Sequence, residues 1–165
     1  MTTRVRVLCR WLAPCLWLML CNSSIASTLL EKIIDGDTVL IQAQGSRYRL
    51  RLLDIDAPEL HQAFGKQSRR SLSQLCAGAK ITVNTQGQDQ YGRQLGHLYC
   101  DGTEASQFQV AQGMAWFNAR YSTRTALQTL QQQAQQQGLG LWQSSEAMPP
   151  WQWRKLYGQH YRHQD

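Results

Sequence analysis

Acidic residues are scarce in this chain: 11 Asp and Glu face 17 Lys and Arg in 165 residues, a net charge of +6. Histidine is sparse too, and His61, His97, His160 and His163 lack any finger-like spacing, so a four-ligand structural zinc site is not expected. Nothing in the composition marks a second domain, and an apolar content of 42% suffices for one core. No apolar run reaches the roughly 20 residues a spanning helix needs. The longest, Trp11 to Cys21, stops at Asn22-Ser23-Ser24. It follows Arg4, Arg6 and Arg10 and precedes the small residues around Ala26, which predicts a secretory signal peptide over residues 1–26. A retained anchor is the alternative. Acylation of Cys21 is disfavoured by the bulky Leu20 before it.

Removing such a leader changes two counts. Lys and Arg fall to 14 against 11 acids, so the net charge drops from +6 to +3, compatible with a polyanionic partner and with ordinary solubility. Only Cys76 and Cys100 of the five cysteines remain, and in an oxidising compartment that even pair is expected to form a disulfide. Two buried thiols are the other reading.

Turn signals at Asp35-Gly36 and Gln44-Gly45-Ser46 divide the first half into strands near 29–34, 37–43 and 47–55. Residues 64–77 have a helical apolar side, "AKITVNT" and "LGHLYCDGT" read as strands, and helices follow over 104–113 and up to Gly138, the latter capped by Ser122 or Thr123. Trp142, Trp151 and Trp153 are expected to pack back onto the domain, which ends near residue 158 ahead of a frayed tail, 159–165. The pattern predicts an α+β chain, mostly β: a five-stranded, Greek-key OB-type barrel with about three helices.

Two acidic groups stand out. Asp37 follows a hairpin turn, and Asp54, Asp56 and Glu59 end the next strand in "RLRLLDIDAPELH". In a meander the start of one strand and the end of the next can lie side by side, so Asp37 and Asp56 can meet, and like charges that meet need a cation or proton between them. Pro58 stiffens that turn. Strict alternation puts Arg51 and Asp56 on opposite faces, so convergence requires a bend. Carboxylates with a backbone carbonyl form a hard oxygen site suited to Ca²⁺.

"DGDTV", "RLLDIDAPE" and "DQYGR", in that order, resemble the staphylococcal-nuclease (thermonuclease) family, and "AQGMAW" and "GLGLW" look like its later helical segments. The resemblance covers residues 30–155. It implies that Asp37 and Asp56 hold Ca²⁺ with the Ala57 carbonyl, where the family often has Thr, and that Glu59 activates the attacking water. Arg51 and Arg93 then take the scissile phosphate, and Tyr91 and Tyr121 fall at aromatic positions of the nucleotide pocket. Gln90 replaces a frequent lysine and Ala119 an aromatic, which weakens the expectation of tight nucleotide binding more than that of catalysis. Asp54 and His61 receive no role.

The implied activity is Ca²⁺-dependent hydrolysis of DNA and RNA, single-stranded or frayed, with little base specificity and 3′-phosphate products. The implied protein is secreted or periplasmic, monomeric, and free of the membrane once its leader is cut. A catalytically silent OB-type binder of nucleic acid is the alternative, and an oligosaccharide-binding barrel would leave both arginines unexplained. The complete set Asp37, Arg51, Asp56, Glu59 and Arg93 favours the enzyme.

Overall fold

The computed structural model describes residues 28–161, so the expected leader, its expected cleavage site and the chain after Tyr161 lie outside the described residues. In chain order the elements are β1 (Leu29–Ile33), β2 (Thr38–Ala43), β3 (Ser46–Leu52), β4 (Ile55–Asp56), α1 (Gly65–Cys76), β5 (Ile81–Gln88), β6 (Gln94–Cys100), β7 (Thr103–Glu104) and α2 (Ala105–Ala111). β8 (Trp116–Phe117), α3 (Thr125–Gln136), a 3₁₀ turn (Gly140–Gln143) and α4 (Pro150–Tyr161) complete them.

The meander predicted for the first strands is present: β1, β2 and β3 pair antiparallel in that order. Gln44 and Gly45 both take positive φ, 51° and 76°, which lets a two-residue loop match the twist of β2 and β3. β3 then pairs in parallel with β6, and β5 lies outside β6. The class is α+β, as the pattern predicts, with more pieces. The expected third strand stops at Leu52, and Asp54, at φ 71°, turns the chain so that β4 leaves the main sheet and pairs with β8. That is the bend that brings Arg51 and Asp56 together.

Among the described residues the outer strands β1 and β5 do not pair, so the sheet is not closed into the expected barrel. Both margins show why. Helix α1 lies against β1, and β5 has an irregularity between Thr85 and Gly87 and ends in exposed polar residues. Among the described residues there are four α-helices where about three are expected, the additional one being α4.

Val39, Ile41, Leu50, Leu52 and Leu98 of the sheet meet Leu72 of α1, Val110 of α2 and Leu127 of α3 in a fully buried core. Each such side chain contributes about 1.5–3 kcal/mol relative to exposure. Cys76 and Cys100 are disulfide-bonded, tying the end of α1 to the end of β6. The motifs "AQGMAW" and "GLGLW" meet at their glycines. A Cβ on Gly140 would sit 2.3 Å from the Gly113 carbonyl oxygen, which accepts a hydrogen bond from Leu141 N at 2.8 Å. Trp142 and Trp151 then pack edge-on against Trp116, with centroids 4.3 and 5.7 Å away, and fasten α4 to β8. Helix α3 is not capped by Ser122 or Thr123. Arg124 takes the cap position, because the Ser122 hydroxyl accepts from Arg124 N in a tight turn before the helix.

Candidate active site

Asp37 enters the site from the turn before β2. The turn is held from inside by Gln109 of α2, fully buried, whose Nε2 donates to the carbonyls of Gly36 at 2.8 Å and Ser68 at 3.0 Å. Asp56 and Ala57 arrive from the other side on β4 and the stiff turn after it. The two segments are joined directly: Ala57 N donates to Asp37 Oδ2 at 2.5 Å. Arg51 sits between the acids, its Nη2 lying 3.1 Å from Asp37 Oδ2 and 2.9 Å from Asp56 Oδ1. Its Nη1 donates to the carbonyls of Leu52 and Ile55, so the same guanidinium clasps the bend at Asp54. The structure thus brings together Asp37, Arg51, Asp56 and Ala57.

Glu59 stands beside them, on a loop wedged against the start of α1. A Cβ on Gly65 would meet the Glu59 carbonyl oxygen at 1.8 Å, so only glycine admits this approach. Gln62 accepts from Glu59 N at 3.2 Å and donates to Met148 O at 2.6 Å, fixing the loop to the segment before α4. The Glu59 side chain remains partly open to water.

Sequence reasoning missed Arg154. From α4 its Nη2 lies 2.7 Å from Asp56 Oδ2 and its Nη1 2.7 Å from Glu59 Oε1, so it bridges the two acids. The run "PPWQWRK" marks an ordered segment, yet nothing in it points to residues nearly a hundred positions earlier. Gln62 and Gln109 were equally silent, since buried glutamines leave no periodic signal.

Arg93 is placed differently from the other predicted residues. It pairs with Asp89, Nη2 to Oδ2 at 2.8 Å and Nε at 2.9 Å, inside the β5–β6 loop. Burial raises the Asp89 carboxyl, and the hydrogen bonds from Arg93 and Tyr91 outweigh it and bring the group below its usual range. The loop is therefore a built holder for Arg93, next to Gln94, which pairs with Leu50 in the strand that carries Arg51. Tyr91 and Tyr121 are strongly exposed, each ring close to an arginine: Arg93 at 5.7 Å and Arg120 at 5.4 Å.

Asp54 has a separate task. Its Oδ2 pairs with Arg124 Nη1 at 2.9 Å, and Arg124 forks onto Glu104, which also meets His97 Nδ1 at 3.1 Å. Ligand atoms of Asp54, His97 and Glu104 lie within 4.8 Å of one another, but Arg124 already supplies the cation of this trio. The network fastens the Asp54 bend to α3. The hydrogen bond from Arg124 holds the Glu104 carboxyl below its usual range, against the opposing effect of burial, and the charges of Arg124 and His97 lower it further. A depressed carboxylate stabilises the fold above its unfolded value, here 4.5, and loses that contribution as pH falls through its folded value. Arg124→Met is accordingly expected to cost about 2 kcal/mol at pH 7, less than a fully buried pair because Arg124 is one-third exposed. Urea titrations of both proteins should show the gap narrowing on acidification below pH 4. A gap independent of pH counts against the network.

At the first cluster burial pushes the Asp37 carboxyl well above the usual carboxylate range, Arg51 pulls it down, and Asp35 and Asp56 push it up. Asp37 is short of positive charge. Two converging carboxylates are a hard oxygen donor set, so the residues present fit a divalent cation in the place that Arg51 Nη2 takes between them.

A mixed α+β sheet carrying paired carboxylates, an arginine between them and a water-accessible glutamate is suited to chemistry on a phosphodiester. The sequence matches the family described as staphylococcal nuclease homologue over residues 49–144, and the chain belongs to that family. It is 41% identical over 124 residues to an "Uncharacterized endonuclease" of Escherichia coli O157:H7, covering 74% of this chain and 81% of that protein. It is 36% identical over 135 residues to a protein named "Micrococcal nuclease" from Shigella flexneri, covering 75% of this chain and 78% of the relative.

Proposed function

We propose that this nuclease-family protein is a Ca²⁺-dependent phosphodiesterase that hydrolyses DNA and RNA with little base specificity and leaves 3′-phosphate ends. The observation that carries the reading is the convergence of Asp37, Arg51, Asp56, Ala57 and Glu59 on one point, in a member of a nuclease family. Asp37, Asp56 and the Ala57 carbonyl would hold the cation. When bound, it neutralises charge that develops on the phosphate oxygens.

The chain's own residues do the rest. Glu59 takes a proton from water as the water oxygen bonds to phosphorus. Arg51, already turned toward the acids, and Arg93, delivered on its loop, balance the non-bridging oxygens with planar guanidinium groups. The bond from phosphorus to the 5′-oxygen breaks, the 5′-oxygen takes a proton from solvent, Glu59 returns its own to solvent, and phosphate stays on the 3′ side. Base specificity is low because arginine and cation address the backbone.

Export after removal of residues 1–26, and action as a monomer, belong to the same proposal. The disulfide between Cys76 and Cys100 supports an oxidising compartment. Protein lacking residues 1–26, incubated with single-stranded DNA and with RNA, should cut both in Ca²⁺ and neither in chelator. Intact polymers in Ca²⁺ would refute the enzyme, and an exported form that keeps the leader's mass would refute the processing.

A further inference from the structure

Beside the acid cluster lies a hollow of about 400 Å³, two of whose walls are the loop just after Glu59 and helix α4, the third being the segment from Leu141 to Met148. We propose that this hollow is a nucleobase subsite, with Arg154 beside it taking the adjoining phosphate; the proposal rests on the nuclease reading above.

The first two walls continue the site. His61 and Phe64 extend the loop that carries Glu59, and Trp153 and Tyr157 flank Arg154 on α4. Residues four apart share one face of a helix, so Trp153 and Tyr157 form a single wall, their rings 5.7 Å apart and tilted by 45°. Gln62 ties this loop to Met148, another lining residue, so the hollow and Glu59 are held in fixed relation.

Its chemistry separates base from phosphate. Aromatic and aliphatic side chains dominate the lining, the described residues of which include no lysine or arginine, and the volume lies in the range of small-ligand sites. The acid in the lining, Glu146, makes the hollow unsuited to a second phosphate and offers an acceptor to a ring or exocyclic N–H of a base. Arg154, next in the chain to the wall residue Trp153, is 44% exposed in its side chain and can turn from Asp56 and Glu59 to a phosphate oxygen. A flat apolar ring held between aromatic walls, with its phosphate on a guanidinium, is how single strands are gripped without reading sequence. Tyr91 and Tyr121 lie on other loops and do not line this hollow, so the subsite is additional to them.

The test uses Glu59→Gln protein in Ca²⁺, expected to bind while cutting slowly, and compares a fluorescent oligothymidylate with an abasic deoxyribose-phosphate strand of equal length by anisotropy. Adding Tyr157→Ala should weaken oligothymidylate binding about ten-fold and leave abasic binding unchanged, while Tyr157→Phe keeps full affinity. Arg154→Gln should weaken both strands. Tyr157 is exposed, so the thermal midpoint should not move. Unchanged oligothymidylate affinity in Tyr157→Ala, or an equal loss on both strands, overturns the subsite while the nuclease reading stands. Failure of the unsubstituted protein to cut in Ca²⁺ overturns both.

Discussion

Glu59→Gln is expected to lower turnover by roughly 10² to 10⁴ while leaving folding, cation binding and substrate binding intact. The separation follows from where Glu59 sits. Its side-chain partner is Arg154, and with both partly exposed, at 35% and 44%, losing that ion pair costs little stability. Its backbone contacts to Gln62 do not depend on the side-chain charge. The carboxylates assigned to the cation, Asp37 and Asp56, are untouched. Asp56→Asn gives the contrast. Asp56 is buried and takes bonds from both Arg51 and Arg154, so its neutralisation leaves two guanidinium groups under-compensated and should lower stability, cation affinity and rate together. Stopped-time cleavage assays, Ca²⁺ titration calorimetry and thermal melts distinguish the two variants. Turnover of Glu59→Gln within a few-fold of the unsubstituted protein would remove Glu59 from the mechanism.

The sequence carried the local parts of this site and missed the distant ones. Asp37 and Asp56 could be paired because a meander places neighbouring strand ends together, and Pro58 announced a stiff turn. The bend at Asp54 was needed on alternation grounds, but its location depends on a positive φ that an aspartate adopts only when the surroundings hold it there. Those surroundings are Arg124 at the cap of α3 and Asn118, which donates to the Asp54 carbonyl, both more than sixty residues away. Arg154 was hidden for the same reason, as a bond across 98 positions leaves no trace in local spacing. Barrel closure was read from strand count, whereas the margins of the sheet are decided by the packing of α1 on β1 and the irregular, polar end of β5. Arg93 shows the converse. The motif "DQYGR" contains both the arginine and the aspartate that holds it, so the whole device is local.

Replacing both Cys76 and Cys100 with Ala is expected to cost about 3.5 kcal/mol of stability, from the entropy an unfolded chain regains when a loop of this size is opened. The bridge spans 24 positions and encloses the link from α1 to β5 and all of β5 and β6. For a domain of this length the thermal midpoint should fall by on the order of 10 °C. The double replacement is the informative one, because a single replacement leaves a free thiol in the core. Activity at temperatures below the melt should survive, since the cysteines sit at the far ends of their elements. Glu59 adjoins the start of α1, whereas Cys76 ends it, and Arg93 precedes β6, whereas Cys100 ends it. A rate loss at 15 °C equal to that of Glu59→Gln would mean that the bridge positions the site. Unreduced protein showing two alkylatable thiols by mass spectrometry, or an unshifted melt in the double variant, would remove the disulfide as a stabilising device.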